Sequence, residues 1–217
     1  MARNFVNSTD RIHYNVEVPS IGDSLGAVAF WFRGTDTTAH AMTASHWTSG
    51  SRQGWAFLFE ATGTKMRFLA YPNSSTPAVD ITATSSIKDG AWHHVAVNYN
   101  RLSGQSNQIY IEGVQEASGN SNADWTIGTA QFFTLGDPFD AFWTTAKGDL
   151  AEVGHWTGGQ LDAAEIAALA KGFSPKLIHP SLQNFYSHLD RDPYSERTTF
   201  IGSVTGTTAV DHPRIIE

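Results

Sequence analysis

Hydrolysis of a glycosidic bond needs two carboxylates facing one groove. Three groups of acids come near each other in this chain: Asp149 with Glu152, Glu112 with Glu116, and Asp190 and Asp192 with Glu196. Residues three apart on a regular strand point to opposite faces, so strand parity separates Asp149 from Glu152. Glu112 and Glu116 flank a turn, and the third group surrounds Pro193 in a polar stretch. The chain has nine histidines. None is spaced four apart on a helix, and His93 and His94, adjacent on a strand, point to opposite faces. No Gly-x-Ser-x-Gly elbow and no phosphate-binding glycine loop occurs.

Aromatic rings are the chemistry that remains. Trp47, Trp125 and Trp143 stand in predicted loops. Three roles are open to each: a stacking platform for a sugar, a plug for the end of the core, or an anchor in a protein interface.

The elements that must position these rings read as strands. Val95, Val97 and Tyr99 alternate with Ala96 and Asn98, Ile109 and Ile111 repeat the period, and Glu112-Gly113 is a hairpin turn. Residues 25–32 are apolar on both faces, as in a central strand. Residues 3–6 and 11–18 are opening strands around the turn 7–10; 55–60 pairs with 65–71; 79–82, 131–135, 149–156 and 182–189 are further strands. A bulge is expected near Glu152, where the alternation fails. Trp92, Val95 and Val97 are expected in the core. One helix is predicted at 162–171: Asp162 and Glu165 form a capping box, Leu161, Ile166 and Leu169 mark the buried stripe, and Gly172 and Pro175 stop it.

The chain has 217 residues, 41% hydrophobic and 16% charged, which is a folded composition with enough length for one sizeable core. A net charge of -7 with no basic cluster argues against nucleic acid. With no cysteine, disulfides and thiolate-zinc sites are excluded. No apolar run approaches the roughly 20 residues of a membrane helix, and the opening residues lack the apolar core of a signal peptide. Folding in a cytosol is the expectation.

The stretch 89–115, with Trp92, His93, Val95, Ala96, Val97, Ile109, Tyr110, Ile111, Glu112 and Gly113, resembles the centre of laminin G-like domains of the concanavalin A-like lectin and glucanase superfamily. Glu112 stands where Asp is more usual. Residues 148–175, with Leu161-Asp162-Ala163-Ala164-Glu165-Ile166, resemble the closing strand-turn-helix of the same family, and Phe5 to Ile12 resembles its opening. The resemblance implies an all-β, two-sheet antiparallel jelly-roll sandwich with one short C-terminal helix, spanning 1–190, and a C-terminal extension at 191–217 lying on the domain or on a neighbour. The Glu-x-Asp-x-x-Glu array of laminarinase-type hydrolases is missing, so the resemblance implies binding rather than catalysis. It also implies a calcium site at the rim, with Asp137 and Asp140 the candidates by position.

Short laminin G-like proteins of phage virions share the pattern of Met1-Ala2-Arg3-Asn4-Phe5 and Asp211-His212-Pro213-Arg214. That likeness implies a structural or adhesive accessory protein of a bacteriophage particle, on capsid or tail, made in the host cytoplasm. Its partners would be the major capsid or tail protein, a host-surface glycan and further copies of itself. A trimer would suit a capsid lattice, with Tyr194, Phe200 and Ile201 in the contact. A free carbohydrate-binding lectin module is the alternative reading, and a glycoside hydrolase the third.

Overall fold

Leu25–Arg33 is apolar on both faces because it sits in the middle of a sheet that is covered on both sides; we call it β3. The computed structural model describes residues 2–14, 24–36, 41–48, 52–59, 63–126, 132–136, 143–189, 202–211, 213, 215 and 216, with backbone alone at 41–48 and 132.

The first sheet runs β10 (Val114–Asn120), β9 (Ser106–Ile111), β8 (His93–Asn100), β3, β13 (Gly148–Thr157), β1 (Ala2–Phe5) and β16 (Thr208–Val210). β14 (Gln183–Ser187) lies beside the second half of β13. The second sheet runs β15 (Gly202–Thr205), β2 (Arg11–Tyr14), β11 (Phe132–Gly136), β4 (Ala41–Thr48), β5 (Gln53–Phe59), β6 (Arg67–Pro72) and β7 (Val79–Thr82). A short β12 (Thr144–Thr145) joins β4 in parallel; the other strand pairings are antiparallel. The two layers make the expected jelly-roll sandwich.

Rings from both sheets fill the space between them. Phe30 meets Phe57 edge-on at 4.9 Å, and Phe133 meets Phe185 at 4.8 Å. Such T-shaped pairs add about 0.5–1.5 kcal/mol each beyond area burial. Val95 and Val97 are buried as expected. Trp92 is not: it is half-buried ahead of β8, with the Arg33 guanidinium over its ring at 4.8 Å. The strand begins at His93, so the inward alternation does not reach Trp92.

The helix α1 (Ala163–Ala170) forms as its sequence dictates. Asp162 Oδ1 accepts from the Glu165 N–H at 2.8 Å, and Glu165 Oε2 accepts from the Asp162 N–H at 2.8 Å. Ile166 and Leu169 bury against Ala27, Ala29, Ala96, Tyr110 and Trp156 on the outside of the first sheet. Pro175 opens a short 3-10 turn, Pro175–Leu177.

The β9–β10 hairpin turns on Glu112 (φ 52°) and Gly113 (φ 78°), the left-handed pair that a two-residue turn requires. The bulge is also present: the register of β13 against β3 shifts between Ala151 and Gly154, with Glu152 at φ 51°. β1 and β2 enter opposite sheets, and Asp10 holds the corner by accepting from the Val6 and Asn7 N–H groups at 2.8 and 2.9 Å. The described part of 191–217 is built into the sandwich. β15 extends the second sheet beside β2, β16 extends the first beside β1, and Ile216 bonds back to Gly172 and Ser174.

Candidate functional site

Alternation along β5 and β6 sends Trp55, Phe57, Phe59, Phe68 and Ala70 into the core and Ala56, Leu58 and Leu69 to the outside of the second sheet. Three apolar side chains on an outer face need a cover. Trp143 and Tyr71 supply it, each half-buried against that trio. Trp143 is delivered by the residues immediately before β12, whose parallel pairing with β4 pins the segment to the sheet. Beside them, Arg67 and Asp80 form a two-armed ion pair across β6 and β7, at 2.7 and 2.6 Å. Aromatic side chains next to fixed donors and acceptors suit a ring with one apolar face and a hydroxylated edge.

Trp47 belongs to β4, not to a loop. Its backbone pairs with Gly54 of β5 and Phe132 of β11, and Gly54 pairs in turn with Tyr71. Position 47 therefore shares a cross-strand row with Tyr71. Strand pairing on both sides of β4 overrides the polar sequence that follows residue 46. Trp125 is 1% exposed, packed on Tyr99 at 5.7 Å within the main core. It does lie outside the strands, but the connections at 101–105 and 121–125 fold onto each other through backbone bonds and seal it in. Its face is closed to a ligand, so it is withdrawn as a stacking platform. Asp137, Asp140, Tyr194, Phe200 and Ile201 lie outside the described residues.

Asp149, Glu152 and Glu116 have structural partners. Asp149 accepts from Asn4 and Arg33. Glu152 accepts from the Tyr186 hydroxyl at 2.6 Å. The bulge breaks strand parity at Glu152, so parity no longer separates it from Asp149; their different partners do. Glu116 accepts from Thr84 and Ser85, which holds its carboxyl below the usual range even though burial pushes the other way. His93 lies between Asp89 Oδ1 at 2.9 Å and Glu112 Oε1 at 3.1 Å. His94 is buried on the opposite side of the strand with its ring edge against Trp31. His155 bonds to the Tyr99 hydroxyl inside the sandwich at 2.9 Å. Among the described residues no three His, Asp or Glu side chains are placed to hold a metal ion.

Sequence reading overlooked Tyr71. Its parity with Leu69 in β6 was the available signal, since alternate residues share a face.

Residues 9–167 match the Laminin_G_3 family model of the concanavalin A-like lectin/glucanase superfamily, and the chain belongs to that family. A search of the curated proteins finds no match. Among solved structures, a putative carbohydrate binding protein from Bacteroides ovatus aligns with TM-score 0.72 at 14% identity, over 99% of this chain and 61% of that one. This chain thus spans less than two thirds of that protein. The heptameric SAP-like pentraxin from Limulus polyphemus aligns with TM-score 0.60 at 14% identity, over 78% and 81%. The CBM40 of the Ruminococcus gnavus IT-sialidase, bound to α2,3-sialyllactose, aligns with TM-score 0.55 at 10% identity, over 78% and 98%. At these identities the likeness establishes the fold.

Proposed function

We propose that this chain is a non-enzymatic carbohydrate-binding domain whose ligand lies on the outside of the second sheet. The observation that carries the reading is the pair Trp143 and Tyr71, each half-buried against Ala56, Leu58 and Leu69 beside the Arg67–Asp80 pair. The names of its structural neighbours support a carbohydrate ligand. The engagement of Asp149, Glu152 and Glu116 in structural bonds supports binding without turnover. A glycan array with the wild type and Trp143→Ala tests it. Retained binding by the variant, or sugar release that disappears on a Glu-to-Gln change, overturns it.

The finer reading places this domain on a phage particle as an adhesive accessory protein, self-associating, in contact with a capsid or tail protein. The likeness of Met1-Ala2-Arg3-Asn4-Phe5 and Asp211-His212-Pro213-Arg214 to phage virion proteins supports it. Mass spectrometry of purified virions tests it; absence from particles, with monomeric glycan binding, leaves the free lectin module.

A further inference from the structure

β7 is an edge strand of the second sheet, so its outward residues form a rim beside the aromatic pair. Alternation buries Val79 and Ile81 and turns Asp80 and Thr82 outward. Strand register sets Asp80 opposite Leu69, and Thr82 opposite Arg67. Leu69 belongs to the floor on which Tyr71 and Trp143 pack. Residues directly opposite on antiparallel strands have Cβ atoms about 4.5–5.5 Å apart. The Asp80 carboxylate therefore stands immediately beside that floor.

This carboxylate is held without being used up. Arg67 Nε donates to Oδ1 at 2.7 Å, and Arg67 Nη2 donates to Oδ2 at 2.6 Å. A two-armed pair of this kind fixes the plane of both groups. Neither oxygen accepts a further bond from a described residue. An ionised carboxylate has about four lone-pair sites, so both Asp80 oxygens keep room for a ligand's donors. The acid is also the outer member of the pair. Its side chain is 42% exposed, against 19% for Arg67. At this pair a ligand meets acceptors before it meets the cation.

Two acceptors side by side match two donors side by side, as on adjacent hydroxyls of a sugar ring. With those hydroxyls on Asp80, the apolar face of the same ring lies toward Tyr71 and Trp143. A ring that carries its own carboxylate would set like charges against each other here.

We propose that the outer-face site takes a neutral sugar ring through two adjacent hydroxyls, which donate to the two oxygens of Asp80, with Arg67 as the positioning residue that holds the carboxylate. The site itself rests on the carbohydrate-binding reading; the neutral ring and the role of Asp80 rest on the rim. A glycan array tests it, followed by calorimetry with the strongest neutral binder. Cellotetraose and laminaritetraose are the first neutral probes, and trigalacturonate is the acidic one. Asp80→Asn keeps the shape at an exposed position, so denaturant melts should show it folded, and it should weaken neutral binding at least tenfold. Asp80→Glu keeps the charge, moves the carboxylate outward by one methylene and should weaken binding too. Arg67→Lys should lower affinity several-fold in the wild type and no further in Asp80→Asn, a non-additivity that a merely structural role does not produce. Trigalacturonate should bind no tighter than the neutral probes. Wild-type affinity in Asp80→Asn overturns this inference alone and leaves the carbohydrate-binding reading to Trp143→Ala. An array that returns only acidic glycans, or tighter binding of trigalacturonate that fades with salt, puts a cation such as the exposed Lys65 in charge and overturns it too. A blank array overturns this inference and the carbohydrate-binding reading together.

Discussion

Asn98 of β8 and Leu161 bond to each other twice: Asn98 Nδ2 donates to the Leu161 carbonyl at 2.7 Å, and the Leu161 N–H donates to Asn98 Oδ1 at 3.1 Å. One buried amide thus holds the chain immediately before α1 against the outside of the first sheet. Both ends of the side chain are used, so no apolar or acidic residue of similar size can replace it.

Asn98→Leu leaves the Leu161 N–H and carbonyl buried without partners, at about 1–3 kcal/mol for each. Urea melts should show a loss of about 2–4 kcal/mol, and amides of residues 163–170 should exchange faster. Unchanged melts would mean that the helix is held by Ile166 and Leu169 alone.

Trp125 and Trp92 should behave differently on truncation. Trp125→Ala empties a core position and should cost about 3–5 kcal/mol. Trp92→Ala removes a half-buried ring and a cation–π contact, the latter worth about 0.5–1 kcal/mol at an exposed site, and should cost clearly less. Equal losses in paired denaturant melts would put Trp92 in the core after all.

His94 gives the fold an acid-sensitive point. Burial alone pushes its imidazole down from 6.5 to about 3. Between those values the unfolded chain takes up a proton that the folded chain refuses. Stability is therefore complete above pH 6.5 and falls by about 1.4 kcal/mol per pH unit below it, until about pH 3. His94→Phe should flatten this part of a pH series of urea melts; an unaltered slope would assign it to other groups.

Lys88 has the opposite range. Burial lowers its ammonium below the ordinary 10.5, with Asp36 opposing. From that lowered value up to 10.5 the unfolded state holds more protons, so stability rises with pH there. Lys88→Met should be neutral or stabilising by about 1 kcal/mol at pH 7, and should remove the alkaline rise in melts taken from pH 7 to 10. A destabilised variant would show that the ammonium is better compensated than its surroundings suggest.

Local signals decided much of the architecture. The alternation at Val95, Val97, Ile109 and Ile111, the left-handed pair Glu112-Gly113, the Asp162–Glu165 capping box and the failed alternation at Glu152 each act over a few residues, and the folded chain contains all four features. The candidate site is different in kind. Alternation says which residues share a face but not what the chain lays over that face. Trp125 and Trp143 both stand outside the strands, yet one is sealed in the core and the other rests on Ala56, Leu58 and Leu69. Residues 202–210 are mostly small and polar, with no apolar alternation, and become strands only because β2 and β1 offer free edges. Arg33 and Asp149 stand far apart in the chain, and nothing in their spacing brings them together. Burial and charge proximity depend on contacts between distant segments, so they were decided by the tertiary structure, whereas the periodicities and caps were already determined by the sequence.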